Sequence, residues 1–255
     1  MLISIIVPFY SEIELIGELV SSVSSQTDLS DGIEFEICIG NDGAYTTSEI
    51  RAAIIESHRH RILIERNRFD KGPGGARNTA IELSSGEIIA FLDADDVWLP
   101  GKTVAQLRAI ESGATFVAGA YRFRNRGTIV KPPKVISRPF DVFWRQGIGT
   151  STVMMRRDLI GETRFRDFRF GQDIDFWYRI ASKSGFVYEC AEMPVTVYST
   201  EGSTRSKLRQ AISFWSVLQQ NKLPLSLQLM ALSRYAARGI FHHYLAGKIW
   251  KWPRG

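Results

Sequence analysis

Four short apolar runs rich in β-branched residues alternate with helical segments in the first hundred residues, and that order leaves few folds open. Residues 2–8 are apolar up to Pro8, and residues 12–25 then place Ile13, Ile16, Leu19, Val20 and Val23 at helical spacing. A second run, 33–39, ends at Gly40-Asn41-Asp42-Gly43, and the pattern after it predicts a helix over 47–57. A third strand is expected at 61–65 and a helix at 76–83 after a glycine-rich loop. The fourth strand, 87–92, runs straight into Asp93-Ala94-Asp95-Asp96. The alternation predicts an α/β fold with a doubly wound, mostly parallel sheet and right-handed crossovers. Ligands of such sheets bind beyond the carboxyl ends of the strands, where polar clusters stand at 9–12, 41–43 and 93–96.

The second half is less regular. Strands are expected at 114–123 and 151–155, a Pro- and Lys-rich connection at 131–139, a helix at 173–182, and an extended segment at 186–197 with a break near Met193-Pro194. From Leu208 onward apolar residues return to helical spacing, with Pro224 opening a second tail helix.

Charge divides the chain. Residues 1–204 hold all 27 acidic and 23 of the 32 basic residues, whereas residues 205–255 hold nine basic and no acidic ones. A slightly acidic body argues against a nucleic-acid partner, which would require a basic footprint on the main domain. An anionic membrane surface suits the basic tail better. The expected organisation is therefore a main domain over 1–204 and a basic helical extension over 205–255. No apolar run reaches the length of a membrane span, and the first residues lack the basic start of a secretion signal. Two distant cysteines, Cys38 and Cys190, offer neither a disulfide framework nor a zinc site. A soluble or membrane-surface protein of a reducing compartment fits.

Three motifs carry candidate chemistry. Asp93, Asp95 and Asp96 crowd three carboxylates at a strand end, which suits a hard divalent cation; the same residues also suit a solvated turn before a helix opened by Pro100. The stretch Gly72-Pro73-Gly74-Gly75-Ala76-Arg77-Asn78 opens a helix, so its amides and dipole can face an anion. It is no dinucleotide fingerprint, because the third glycine falls on Arg77 and the loop follows the third strand. A tight turn explains the glycines alone, while Arg77-Asn78 adds a guanidinium and an amide suited to a base or phosphate. Gln172-Asp173-Ile174-Asp175 starts a helix, where acidic residues serve as caps or, in a cleft, as a general base. His58, His60, His242 and His243 have no ligand spacing and read as surface residues.

In this order, Ile6-Val7-Pro8-Phe9-Tyr10, Asn41-Asp42-Gly43, Gly74-Gly75-Ala76-Arg77-Asn78, Leu92-Asp93-Ala94-Asp95-Asp96 and Gln172-Asp173-Ile174-Asp175 resemble the inverting family-two glycosyltransferases of the GT-A fold. The match spans roughly residues 1–200. Within the family it resembles bacterial exopolysaccharide glucosyltransferases of the succinoglycan type. The resemblance implies a nucleotide-diphosphate sugar donor, UDP-glucose above others, Mg²⁺ or Mn²⁺ as cofactor, and a lipid-linked saccharide acceptor. It assigns Pro8, Tyr10 and Asp42 to the uracil pocket, Arg77 to the base or diphosphate, Asp93 to the ribose, Asp95 to the metal, and Asp173 to the general base. Glu12 is counted among the nucleotide-sugar contacts.

Departures from the family pattern are Ser11 for Asn, Ala44-Tyr45 after Asp-Gly, Gln172 for Glu, and Glu201 near the place of a metal-contacting His. The expected function is transfer of a hexose onto a bacterial surface polysaccharide at the cytoplasmic membrane face. Two rivals stand beside it. A nucleotidyltransferase would carry a basic glycine loop directly after the first strand, where this chain has residues 8–12. A non-catalytic UDP-sugar-binding protein would release no UDP.

Overall fold

The computed structural model describes residues 1–27, 29–54, 60–125, 128–199 and 207–240. The chain divides into two compact units, Met1–Asp167 with Gln172–Ser203, and Phe168–Gly171 with Thr204–Gly255. The first unit begins β1 (Leu2–Phe9), α1 (Ile16–Ser24), β2 (Glu34–Asn41), α2 (Thr47–Ala53), β3 (Arg61–Arg66), α3 (Pro73–Leu83) and β4 (Ile88–Phe91). These four strands pair in parallel in the order β3-β2-β1-β4.

The two-residue period of β1 explains why both faces of the sheet are covered. Ile3, Ile5, Val7 and Phe9 enter one core with Ile16, Leu19, Val20 and Val23 of α1, while Ile6 enters the other with Ala80 and Ile81 of α3. Each such fully buried aliphatic side chain contributes about 1.5–3 kcal/mol relative to its exposed state.

The chain continues through β5 (Val97–Trp98), α4 (Lys102–Glu111), β6 (Phe116–Phe123), β7 (Ile129–Val130), α5 (Asp141–Arg145), β8 (Met154–Arg156), α6 (Arg157–Ile160), α7 (Gln172–Ala181) and β9 (Tyr188–Tyr198). β8 lies antiparallel between β4 and β6, β9 runs parallel to β6, and β5 pairs antiparallel with β9. The β6–β9 register shifts opposite Ala191 to Pro194, where the sequence places its break, because proline cannot donate to the ladder.

Several elements differ from the sequence reading. The expected strand over 151–155 is a 3₁₀ turn at Thr150–Thr152 followed by β8. The short β5, β7, α5 and α6 have no predicted counterpart, being too brief to show a period. The third helix begins at Pro73, so the glycine-rich stretch is its first turn and not a loop before it. Proline at the first helical position lacks only an N–H that would be unpaired anyway. The glycines let this turn approach backbone closely: a Cβ on Gly40 would stand 1.9 Å from the Ala76 carbonyl oxygen, and one on Gly75 1.9 Å from that of Asp70.

The second unit contains α8 (Lys207–Gln220) and α9 (Leu225–Ile240). Phe214 stacks on Tyr235 at 4.8 Å, and the Ser213 hydroxyl donates to the Phe170 carbonyl at 2.8 Å. Gln228 N–H donates to the Pro224 carbonyl, so Pro224 stands where the second tail helix begins. Among the described residues no helix is long and apolar enough to cross a membrane. His58, Glu201, His242, His243 and residues 241–255 lie outside the described residues.

Candidate active site

Parallel pairing brings the carboxyl ends of β1, β2 and β4 side by side, with Phe9 opposite Asn41 in register and Leu92 N–H donating to the Ile6 carbonyl at 3.1 Å. The polar segments that follow these strands therefore share one edge of the sheet.

After β1, Pro8 is buried and Tyr10 is exposed. Glu12 turns its carboxylate back onto the loop, accepting the N–H groups of Tyr10 and Ser11 at 2.8 Å each. After β2, Asn41 closes a turn by accepting Gly43 N–H at 3.0 Å and donating to the Tyr45 carbonyl at 2.6 Å. Gly43 has to be glycine, because a Cβ there would stand 1.6 Å from the Tyr10 carbonyl oxygen. Both Asp42 carboxylate oxygens accept N–H groups, one from Asn67 and one from the Gly72 backbone, at 2.8 Å each. Asp42 thus ties the loops after β2 and β3 to the start of α3.

The second residue pair of the glycine motif separates into two roles. Arg77, 5% exposed, donates to Asp93 at 2.6 Å and lies over the Phe165 ring at 5.4 Å. Its Nε is buried with no partner among the described residues. Asn78 does not face a phosphate or base: its amide donates to the Phe165 carbonyl at 2.9 Å and its oxygen accepts Phe165 N–H at 2.7 Å. That reciprocal pair fixes the segment on which Arg77 rests.

The three carboxylates after β4 do not act as one cage. Asp96 is 2% exposed and accepts the Ser151 hydroxyl at 2.6 Å and Ser199 N–H at 3.1 Å. Burial, with the neighbouring Asp93 charge, pushes its pKa up to about 8. Asp95 is half-buried and accepts the Ser199 hydroxyl at 2.5 Å; burial raises its pKa, the Ser199 bond opposes the rise, and Asp93 adds to it. Asp93 is held by Arg77 and, through its backbone N–H, by the Ser151 hydroxyl at 3.0 Å. Ser151 and Ser199 escape sequence reasoning because single serines carry no local signal and lie 55 and 104 positions from the aspartates they serve.

Among the described residues no three His, Cys, Asp or Glu side chains converge as a metal-holding group. Asp95 presents a half-buried carboxylate oxygen at the sheet edge. This fits Mg²⁺ or Mn²⁺, which take one or two carboxylates and complete their shell with water and substrate phosphate.

Asp173 stands in the first turn of α7. Burial raises its pKa most, Arg77 lowers it, and Asp93 raises it. It therefore lies within the electrostatic reach of the same guanidinium that binds Asp93. Gln172, beside it, places Oε1 where a Cβ on Gly74 would meet it at 2.2 Å, so α3 and the start of α7 touch. Asp175 has no part in this cleft: it is fully buried between Arg179 at 2.8 Å and Arg166 at 3.4 Å and anchors α7 instead.

The comparisons with known proteins agree with this arrangement. The Escherichia coli enzyme WfgD, named UDP-Glc:alpha-D-GlcNAc-diphosphoundecaprenol beta-1,3-glucosyltransferase, is 29% identical over 254 residues, covering 95% of each chain. The crystal structure of S. aureus TarS 1-349 in complex with UDP-GlcNAc superposes with a TM-score of 0.65 at 16% identity, over 95% of this chain and 73% of that one. Glucosyl-3-phosphoglycerate synthase from Mycobacterium tuberculosis, in complex with Mn²⁺ and UDP-Glc, gives 0.57 at 17% identity, over 88% and 80%. Residues 4–175, from β1 to the start of α7, match the family described as Glycosyl transferase family 2. A nucleotidyltransferase and a non-catalytic binding protein are thereby set aside, and the chain belongs to glycosyl transferase family 2, an enzyme of the GT-A fold.

Proposed function

We propose that this enzyme transfers glucose from UDP-glucose, with inversion, to a GlcNAc-diphosphate-lipid acceptor in the synthesis of a bacterial surface polysaccharide. The name of WfgD supports donor and acceptor, and the position of Arg77 carries the reading of the site. One buried guanidinium bonds Asp93 on the donor side and acts electrostatically on Asp173, so the donor phosphates and the base belong to one cleft.

In this reading Pro8, Tyr10 and Asp42 border the uracil, Glu12 shapes the first loop, and Asp93 meets the ribose. A divalent cation held by Asp95 would supply Lewis-acid stabilisation of the leaving diphosphate. Asp173 takes the proton of the acceptor hydroxyl as the new bond to the anomeric carbon forms and the bond to the UDP oxygen breaks. Its raised pKa makes it a stronger base than an ordinary carboxylate. The Ser199 hydroxyl orients Asp95.

The unit Met1–Asp167 with Gln172–Ser203 contains every one of these residues and serves as the catalytic domain. The basic tail is the docking element at the cytoplasmic membrane face. Purified enzyme, UDP-glucose, Mn²⁺ and a synthetic GlcNAc-diphosphate lipid should give a β-linked product, with Asp173→Asn slowing turnover by about 10² or more while UDP still binds. An α-linked product, or full turnover by that variant, would overturn the mechanism.

A further inference from the structure

Three features of the segment after α5 converge on Gln146. Its φ is 49° with ψ 178°, a region that only glycine occupies without strain. The side-chain Nε2 is buried with no hydrogen-bond partner among the described residues. Two residues earlier, Trp144 stacks on Phe140 with ring centroids 6.5 Å apart and both rings half-buried. The strained backbone and the buried amide donor without a partner among the described residues both cost stability. Such costs are kept where a ligand uses the geometry.

The segment is also in the right place. α5 packs against α7, the helix whose first turn holds Asp173, with Phe143 stacked on Tyr178 at 4.7 Å. Beyond Gln146 the chain runs through Gly147 and Gly149 to Ser151, whose hydroxyl serves Asp93 and Asp96. The stretch 144–151 thus joins the helix of the base to the carboxylates of the donor side. An acceptor sugar has to lie between those two.

We infer that Trp144 and Gln146 form the acceptor-sugar subsite, recognising an N-acetylhexosamine: the indole lies along the apolar face of the ring, and the Gln146 side chain turns its amide N–H out of its buried position to donate to the acetamido carbonyl. The inference rests on the acceptor class proposed above. An amide donor paired with an acetamido carbonyl also gives discrimination, since a sugar lacking that group leaves the donor buried and unpaired.

Gln146→Gly separates function from fold, because it relieves the backbone strain and deletes the amide together. The melting temperature should rise, while KM for the GlcNAc-diphosphate lipid increases about tenfold and the preference over the glucose-diphosphate lipid falls by a similar factor, with KM for UDP-glucose nearly constant. Gln146→Leu should lose the same preference without the stability gain. A second measurement does not depend on turnover: binding of methyl N-acetylglucosaminide to the full-length enzyme with UDP and Mn²⁺, followed by calorimetry or NMR. If wild type binds the glycoside and both variants lose about tenfold, the subsite stands even should the lipid not be a substrate. Unchanged glycoside binding and unchanged acceptor preference in Gln146→Gly would overturn it, as would a loss confined to the UDP-glucose KM.

Discussion

Asp173 is held between opposed influences, and the balance makes a pH test possible. Burial and Asp93 favour its neutral form, while the Ile174 backbone N–H and Arg77 favour the carboxylate. A base works ionised, so activity falls as pH drops through its pKa. Removing the Arg77 charge in Arg77→Gln takes away one of the influences that lower that pKa, leaving the backbone N–H groups of Ile174 and Asp173 as the others, and the acid limb of the kcat/KM profile should move to higher pH. A limb that stays in place, or moves down, would remove Asp173 as the titrating base or Arg77 as its neighbour. Asp95 gives a different signature. In Asp95→Ala the metal-dependent part of UDP binding should disappear, while metal-free UDP binding measured with a chelator stays within about twofold, because the pocket residues are intact. Equal weakening with and without Mn²⁺ would make Asp95 structural.

Elements account for what the sequence could and could not reveal. β1 to β4 were legible because a buried strand needs a continuous apolar run and its polar terminus marks the site edge. The motif residues Asp42, Asp93 and Asp173 stand out in the sequence because they follow a strand or lie at a helix start, and Arg77 because it follows the glycines. Asp96 stood open between a cation-facing carboxylate and a solvated turn residue, because spacing cannot tell either from a side chain that turns inward to Ser151. The glycine stretch looked like a loop because propensity disfavours glycine in helices, whereas here close packing decides. That argument has a measurable consequence. In Gly40→Ala the new methyl would stand 1.9 Å from the Ala76 carbonyl oxygen, backbone against backbone, so β2 and α3 have to part. Urea denaturation should show a loss of about 1–3 kcal/mol. Gly74→Ala meets the end of the Gln172 side chain, which can turn aside, and the Phe165 Cβ at 3.3 Å, which has to give by only a few tenths of an ångström, so it should cost less than Gly40→Ala. The reverse order of the two would show that α3 is not packed on β2 as described.

At the scale of the whole molecule, the two units differ in charge and in what their surfaces leave exposed. Residues 205–255 contain nine basic and no acidic residues, so the second unit cannot neutralise its own field. On its described helices Leu208 and Ile212 of α8, and Leu225, Leu229 and Met230 of α9, are exposed, and the basic Arg209, Lys222 and Arg234 are exposed with them. Positions four apart share a helix face, so Leu208 with Ile212 and Leu225 with Leu229 form apolar pairs in water. An anionic bilayer offers a partner for both features, since apolar side chains enter the acyl boundary and each nearby Lys or Arg contributes about 1 kcal/mol at the headgroups. Full-length enzyme should therefore sediment with anionic vesicles, less with neutral ones, and less again in high salt, which screens the charges. Replacing Leu225 and Leu229 by serine should weaken the binding while the catalytic unit still binds UDP. Binding that ignores lipid charge and salt would sink the electrostatic part. Loss of a dimer, rather than of vesicle binding, in the serine variant would assign the apolar face to a second copy of the chain.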